Sequence, residues 1–122
     1  MKLKAKQPRG IIFIHYFVTE VQEGKCYTFF ALDDYSEIIF DYTATLDLSE
    51  PSLLSVIVKL MENEKFQMFS HPFKLVVGFG KEIIPQMQQI AEPHNGTVLF
   101  SQKAAQKRLY PVYKQFLEMK SQ

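Results

Sequence analysis

The chain has 122 residues, of which 47% are hydrophobic and 22% charged, with a net charge of +1; that is one domain able to bury a real core, and it excludes a disordered or low-complexity chain. A single cysteine, Cys26, excludes an internal disulfide and any paired-cysteine metal knuckle, and it suits a reducing, cytoplasmic compartment. The basic head MKLKAKQPRG precedes an apolar run of eight residues interrupted by His15, with no small-x-small cleavage site after it; a leader, a membrane span and a membrane partner are therefore not expected.

In chain order, GIIFIHYFVTEV (10–21) is nearly all apolar and rich in β-branched and aromatic residues, which predicts a strand covered on both faces. QEGK (22–25) is a hairpin loop with a usable glycine, CYTFFAL (26–32) the second strand, DDYS (33–36) the next turn and EIIFDYTATL (37–46) the third strand. Tight connections imply an antiparallel meander. Ser49-Glu50-Pro51 then supplies a cap, an acidic first turn and an early proline, and Leu53, Leu54, Ile57, Leu60 and Met61 follow at helical spacing, so a helix is predicted over 50–63. FKLVVGF (73–79) reads as a fourth strand, 83–92 as a helix with Pro85 in its first turn, and TVLFS (97–101) as a fifth strand after the turn at Pro93-His94-Asn95-Gly96. The last helix spans 103–120, and Pro111 is expected to kink or split it. Crossover helices after strands three and four give a mixed α/β sheet with helices on its faces.

Charge is unevenly placed. Lys2, Lys4, Lys6 and Arg9 crowd the first nine residues, and Lys103, Lys107, Arg108, Lys114 and Lys120 stand against the single Glu118 in the last helix. Phosphate contacts need only positive charge and reach, so Lys2, Lys4, Lys6, Arg9, Lys103, Lys107, Arg108 and Lys114 are the candidate DNA contacts. A solvated arm over residues 1–9 and a solvated helix face would have the same composition. On the helix, Lys103, Lys107 and Lys114 recur at spacings of four and seven and share one face, leaving Leu109, Val112, Tyr113, Phe116 and Leu117 to cover the sheet.

The element order, together with EGKCYTFFALDDYS (23–36), resembles the catalytic core of retroviral integrases and the related bacterial insertion-sequence transposases. In that family an Asp in the first strand is followed by a hairpin glycine, an aromatic second strand and an Asp-x-(Tyr/Phe)-Ser turn; Gly24, Tyr27, Asp33, Tyr35 and Ser36 fall at matching intervals. VVGFGKEI (76–83) resembles the family's fourth-strand motif, Ser-Asp-x-Gly-x-Glu-Phe. The resemblance implies a ribonuclease-H-like fold with sheet order 3-2-1-4-5, in a single integrase-core-like domain over 10–122 after the basic arm. It also implies three carboxylates holding two divalent ions, usually Mg²⁺, for phosphodiester cleavage and strand transfer. Carried over by position, the first acid falls on His15 and the second on Gly78. The third falls on Leu99 in one register, or around Ala104 to Arg108 with TVLFS as the fifth strand. None of these is acidic, so no catalytic residue is expected and no cofactor is required, with Mg²⁺ or Mn²⁺ implied only for an active enzyme.

A relocated carboxylate site would draw on Asp33, Asp41 or Glu82, with Asp34 and Glu20 as further acids. Adjacent strand residues point to opposite faces, however, and Asp and Ser side chains commonly satisfy turn backbone, so Asp33-Asp34 reads as turn chemistry. His15 lies on a face with Ile11, Phe13 and Phe17 and is expected to be hydrogen-bonded and partly buried; the other soft ligands His71, His94 and Cys26 have no zinc spacing. GFGKE (78–82) lacks the full phosphate-loop pattern and reads as a tight strand-to-helix connection. The sequence thus points to a catalytically inactive integrase- or transposase-core-like domain of a mobile element that binds DNA or protein. The family resemblance adds a homodimer. The rivals are a metal-dependent polynucleotidyl transferase or nuclease and an unrelated α/β interaction module.

Overall fold

The computed structural model describes residues 4–120. Five strands, β1 (Ile11–Val21), β2 (Gly24–Asp33), β3 (Ile39–Thr45), β4 (Phe73–Val77) and β5 (Gly96–Phe100), form one sheet in the order β3-β2-β1-β4-β5. β1, β2 and β3 are an antiparallel meander, while β4 lies parallel to β1 and β5 parallel to β4. Sheet order and strand senses are those the sequence implied.

β1 is apolar on both faces because both are covered. Ile12 and Ile14 join a core with Phe29, Leu75 and Val77 beneath helices α1 (Glu50–Met61), α2 (Glu64–Gln67) and α3 (Ile84–Ala91). Ile11, Phe13 and Phe17 join a second core with Phe30, Leu32 and Val76 beneath α4 (Gln102–Lys120), which contributes Ala105 and Leu109. The period-2 alternation of a strand sends successive side chains to these two layers. Pairing with β4 ends at Ile14↔Val77, and beyond Phe17 the burial of β1 falls away because β2 alone accompanies it.

Caps mark the helix boundaries. Asp47 Oδ1 accepts from Ser49 N at 2.9 Å, Ser49 Oγ at 2.6 Å and Ser52 Oγ at 2.7 Å, fixing the entry to α1 with Pro51 in its first turn. Those bonds hold the exposed Asp47 carboxyl down at a pKa of about 2. The helix predicted over 50–63 stops at Met61, because Asn63 Oδ1 accepts from Phe66 N at 3.1 Å and caps the short α2, which buries Phe66. α3 is preceded by a 3₁₀ turn at Lys81–Ile83. The expected split at Pro111 is not found: α4 is one helix, and Pro111 lies on its exposed side. The carbonyl left without a proline N–H belongs to Lys107, which is also exposed, so the helix continues without burying an unpaired acceptor.

Candidate functional site

The pairing of β4 beside β1 brings two distant positions together. Gly78 N donates to Ile14 O at 2.9 Å, just past the end of β4, which places residue 78 against residue 15. A β-carbon on residue 78 would lie 2.4 Å from His15 Nδ1 and 3.1 Å from the neighbouring ring carbons. The imidazole therefore occupies the space a side chain at 78 would need. His15 is buried, as expected, and its Nδ1 has no hydrogen-bond partner of normal geometry among the described residues. Burial pushes the imidazole below its usual pKa, with the Gly78 backbone acting weakly the other way.

These two positions are those to which the family resemblance assigned the first two catalytic acids. They meet in space, but neither is a carboxylate. At the helix positions assigned to the third, Ala105 is fully buried, Ala104 is half-buried, and no acid occurs on α4 before Glu118. Leu99, the alternative register, is partly exposed on β5. A hard divalent pair needs several oxygen ligands, and one buried imidazole nitrogen facing a glycine does not fit it.

The remaining acids have other partners. Asp33 is fully buried; Oδ1 accepts from Arg9 N at 2.9 Å, and Oδ2 accepts from Ser36 Oγ at 2.5 Å and Ser36 N at 3.2 Å. Asp34 Oδ2 accepts from Ala5 N at 2.9 Å and Oδ1 from Arg108 Nε at 2.9 Å. The pair is thus a turn and also the anchor of the N-terminal arm. Asp41 lies 3.5 Å from Lys59 Nζ, and Glu82 is exposed. Among the described residues, no three His, Cys, Asp or Glu side chains converge as metal ligands would. Beside Gly78 an open cleft of about 320 Å³ is lined by Tyr16, Phe79, Gly80, Lys81, Glu82 and Gln102. It presents no nucleophile and base in contact. Gly80 adopts φ 65 and leads into the 3₁₀ turn, so GFGKE is a connection rather than a phosphate loop.

The basic residues divide into two groups. Arg9 is 2% exposed: its Nη1 donates to Phe66 O at 3.2 Å, Nη2 donates to His71 O, and Cζ lies 4.6 Å from the Phe73 ring centre and 4.8 Å from that of Phe66. This guanidinium is a core group, out of reach of a phosphate. Arg108 is tied to the Asp34 carboxylate and, through Nη2, to its carbonyl at 3.2 Å. Lys4, Lys6, Lys103, Lys107 and Lys114 are exposed. Lys2 lies outside the described residues. The arm and α4 belong to the same layer, since Ala5, Ala105 and Leu109 share one core cluster. The two basic ends of the sequence therefore meet on one side of the sheet. The other layer is mixed in charge: Asp47, Glu50, Glu62, Glu64, Glu82 and Glu92 share it with Lys59, Lys65 and Lys81.

No protein-family model matches the chain, and no curated protein sequence does. Among solved structures it is similar to a chain of a simian T-cell lymphotropic virus intasome in complex with PP2A regulatory subunit B56 gamma, with a TM-score of 0.65 and 10% identity. The match covers 96% of this chain and 42% of that one. At that identity the likeness is one of fold. Among the described residues no helix is long and apolar enough to cross a membrane.

Proposed function

We propose that this chain is a ribonuclease-H-like, integrase-core-like domain that has lost phosphoryl-transfer chemistry and acts by binding nucleic acid through its basic layer. The observation that carries the reading is the contact between His15 and Gly78, which stand at the two sheet positions where the resemblance puts catalytic acids. The fold-level likeness to an intasome chain supports the architecture. The gathering of Lys4, Lys6, Lys103, Lys107 and Lys114 on one layer supports the polyanion partner. A domain of this kind needs neither Mg²⁺ nor Mn²⁺ to bind phosphates, because counterion release supplies the driving force.

The test is fluorescence anisotropy with a labelled DNA duplex at low and moderate salt, with Mn²⁺ present, followed by recovery of the DNA on a denaturing gel. Salt-sensitive binding with intact DNA is expected. Metal-dependent cleavage abolished by Asp41→Asn or Glu82→Gln would overturn the non-catalytic reading and restore a relocated carboxylate site. Absence of duplex binding even at low salt would remove nucleic acid as the partner.

A further inference from the structure

The N-terminal arm and the sheet enclose an open cleft of about 230 Å³, lined by Lys4, Lys6, Gln7, Lys74 and Thr97 among others, with no acidic residue in its wall. Lys74 was not among the charges that sequence reasoning singled out. It pairs with Ile11 on one side and Thr97 on the other, and shares its face with Val76, two residues on, which belongs to the core beneath α4. A lysine on the covered face of an interior strand is out of place unless that stretch of the face is open to solvent. Here it is: Lys74 is exposed beside the arm.

The arm is fixed in position. Ala5 N donates to Asp34, Arg9 N donates to Asp33, and the Ala5 side chain is buried, so the exposed Lys4 and Lys6 flank an anchored residue. The nearby acids are already engaged, Asp34 by Arg108 and Asp33 by Arg9 N and Ser36. Lys4, Lys6 and Lys74 form no ion pair among the described residues. Three like charges held in one cleft without a counter-charge repel one another, and a bound anion relieves that repulsion. Because the backbone beneath them is already ordered, the freedom lost when they engage it is that of the side chains alone.

We infer that this cleft seats a phosphate of a nucleic-acid backbone, with Lys4, Lys6 and Lys74 as its contacts. The inference rests on the nucleic-acid reading above and gives it a location. The one aromatic residue in the wall, Phe73, is buried, so the cleft offers no platform for an unstacked base. Contact is with phosphate, and binding is independent of sequence.

Anisotropy titrations of a labelled duplex at several salt concentrations provide the test, using the wild type, Lys74→Ala, the double variant Lys4→Ala/Lys6→Ala, and, as control, Lys25→Ala at the start of β2, opposite Glu20 near the far end of β1. Lys74→Ala should weaken binding on the order of threefold to tenfold at low salt and lower the slope of log K against log salt by about one. The double variant should lower the slope by about two, and Lys25→Ala should change neither. Circular dichroism confirms that each variant is folded. If the wild type binds duplex but Lys74→Ala retains both affinity and slope, the cleft is wrong and the nucleic-acid reading stands. If the wild type binds no duplex, that reading falls and the cleft falls with it. Lys74-dependent binding to anionic phospholipid vesicles without duplex binding would overturn the nucleic-acid assignment in favour of a membrane surface.

Discussion

His15 and Gly78 are complementary in volume: a β-carbon on residue 78 would lie 2.4 Å from the imidazole Nδ1. Gly78 is therefore glycine for packing, since the ring belongs to a buried strand residue with little room to move. Gly78→Ala should destabilise the domain by about 1–3 kcal/mol, the usual cost of overpacking a core. In a His15→Ala background the same change should cost less than about 1 kcal/mol, because the space is vacant. Urea unfolding of the four proteins measures this directly, and equal costs in both backgrounds would show that the ring is not what excludes a side chain at 78.

The same ring makes stability depend on pH. Burial depresses the His15 pKa below its ordinary 6.5, so the unfolded chain binds a proton before the folded one does. The stabilising effect of the neutral ring is complete above 6.5 and is lost as pH falls toward the folded value. Wild type should lose stability between neutral and mildly acidic pH, and His15→Gln should flatten that part of the profile. Denaturation midpoints across this range provide the measurement; an unchanged profile in His15→Gln would assign the acid sensitivity to other groups.

The physical range of each interaction decided how much of this was legible in the sequence. Strands show in period-2 hydrophobic runs, and the apolarity of β1 on both faces already implied two covering layers. Ser36, three residues beyond Asp33, made the turn readable. The meeting of residues 15 and 78 followed from the resemblance, but the filling of one residue's space by the other depends on ring orientation. α2 is four residues long, too short to display a helical period. Arg9 read as a surface charge because its partners, Asp33, Phe66 and His71, lie 24, 57 and 62 residues away. The meeting of the two basic ends on one layer was hidden for the same reason: topology decides which segments share a face.

Asp33 separates a structural carboxylate from a metal ligand. It is fully buried and accepts three hydrogen bonds that join the arm, the end of β2 and the Ser36 turn. Asp33→Ala should cost about 2–3 kcal/mol, since it strands buried donors and removes charge-assisted bonds. Asp33→Asn keeps an acceptor for Arg9 N and should cost less. A metal ligand would behave otherwise, losing metal-dependent activity in both variants with little change in stability. Thermal unfolding with and without Mn²⁺ distinguishes the two roles.

Arg9 and Lys4 lie five residues apart in the same basic arm, yet their substitution should have opposite consequences. The Arg9 guanidinium is held by the Phe66 and His71 carbonyls and packed against the Phe66 and Phe73 rings, and His71 Nε2 in turn lies 2.9 Å from Pro8 O. Arg9→Ala removes the group that satisfies those carbonyls and leaves a hole among aromatic rings, a loss of about 3 kcal/mol. Arg9→Lys should recover only part of that, because an ammonium cannot bridge two carbonyls as a planar guanidinium does. Provided the domain remains folded, neither change should alter the salt dependence of DNA binding. Lys4→Ala should do the reverse, leaving the unfolding midpoint in place and reducing the salt slope by about one. Paired unfolding and anisotropy measurements on the three variants test both halves, and a salt slope reduced in folded Arg9→Lys would show that its charge reaches the ligand after all.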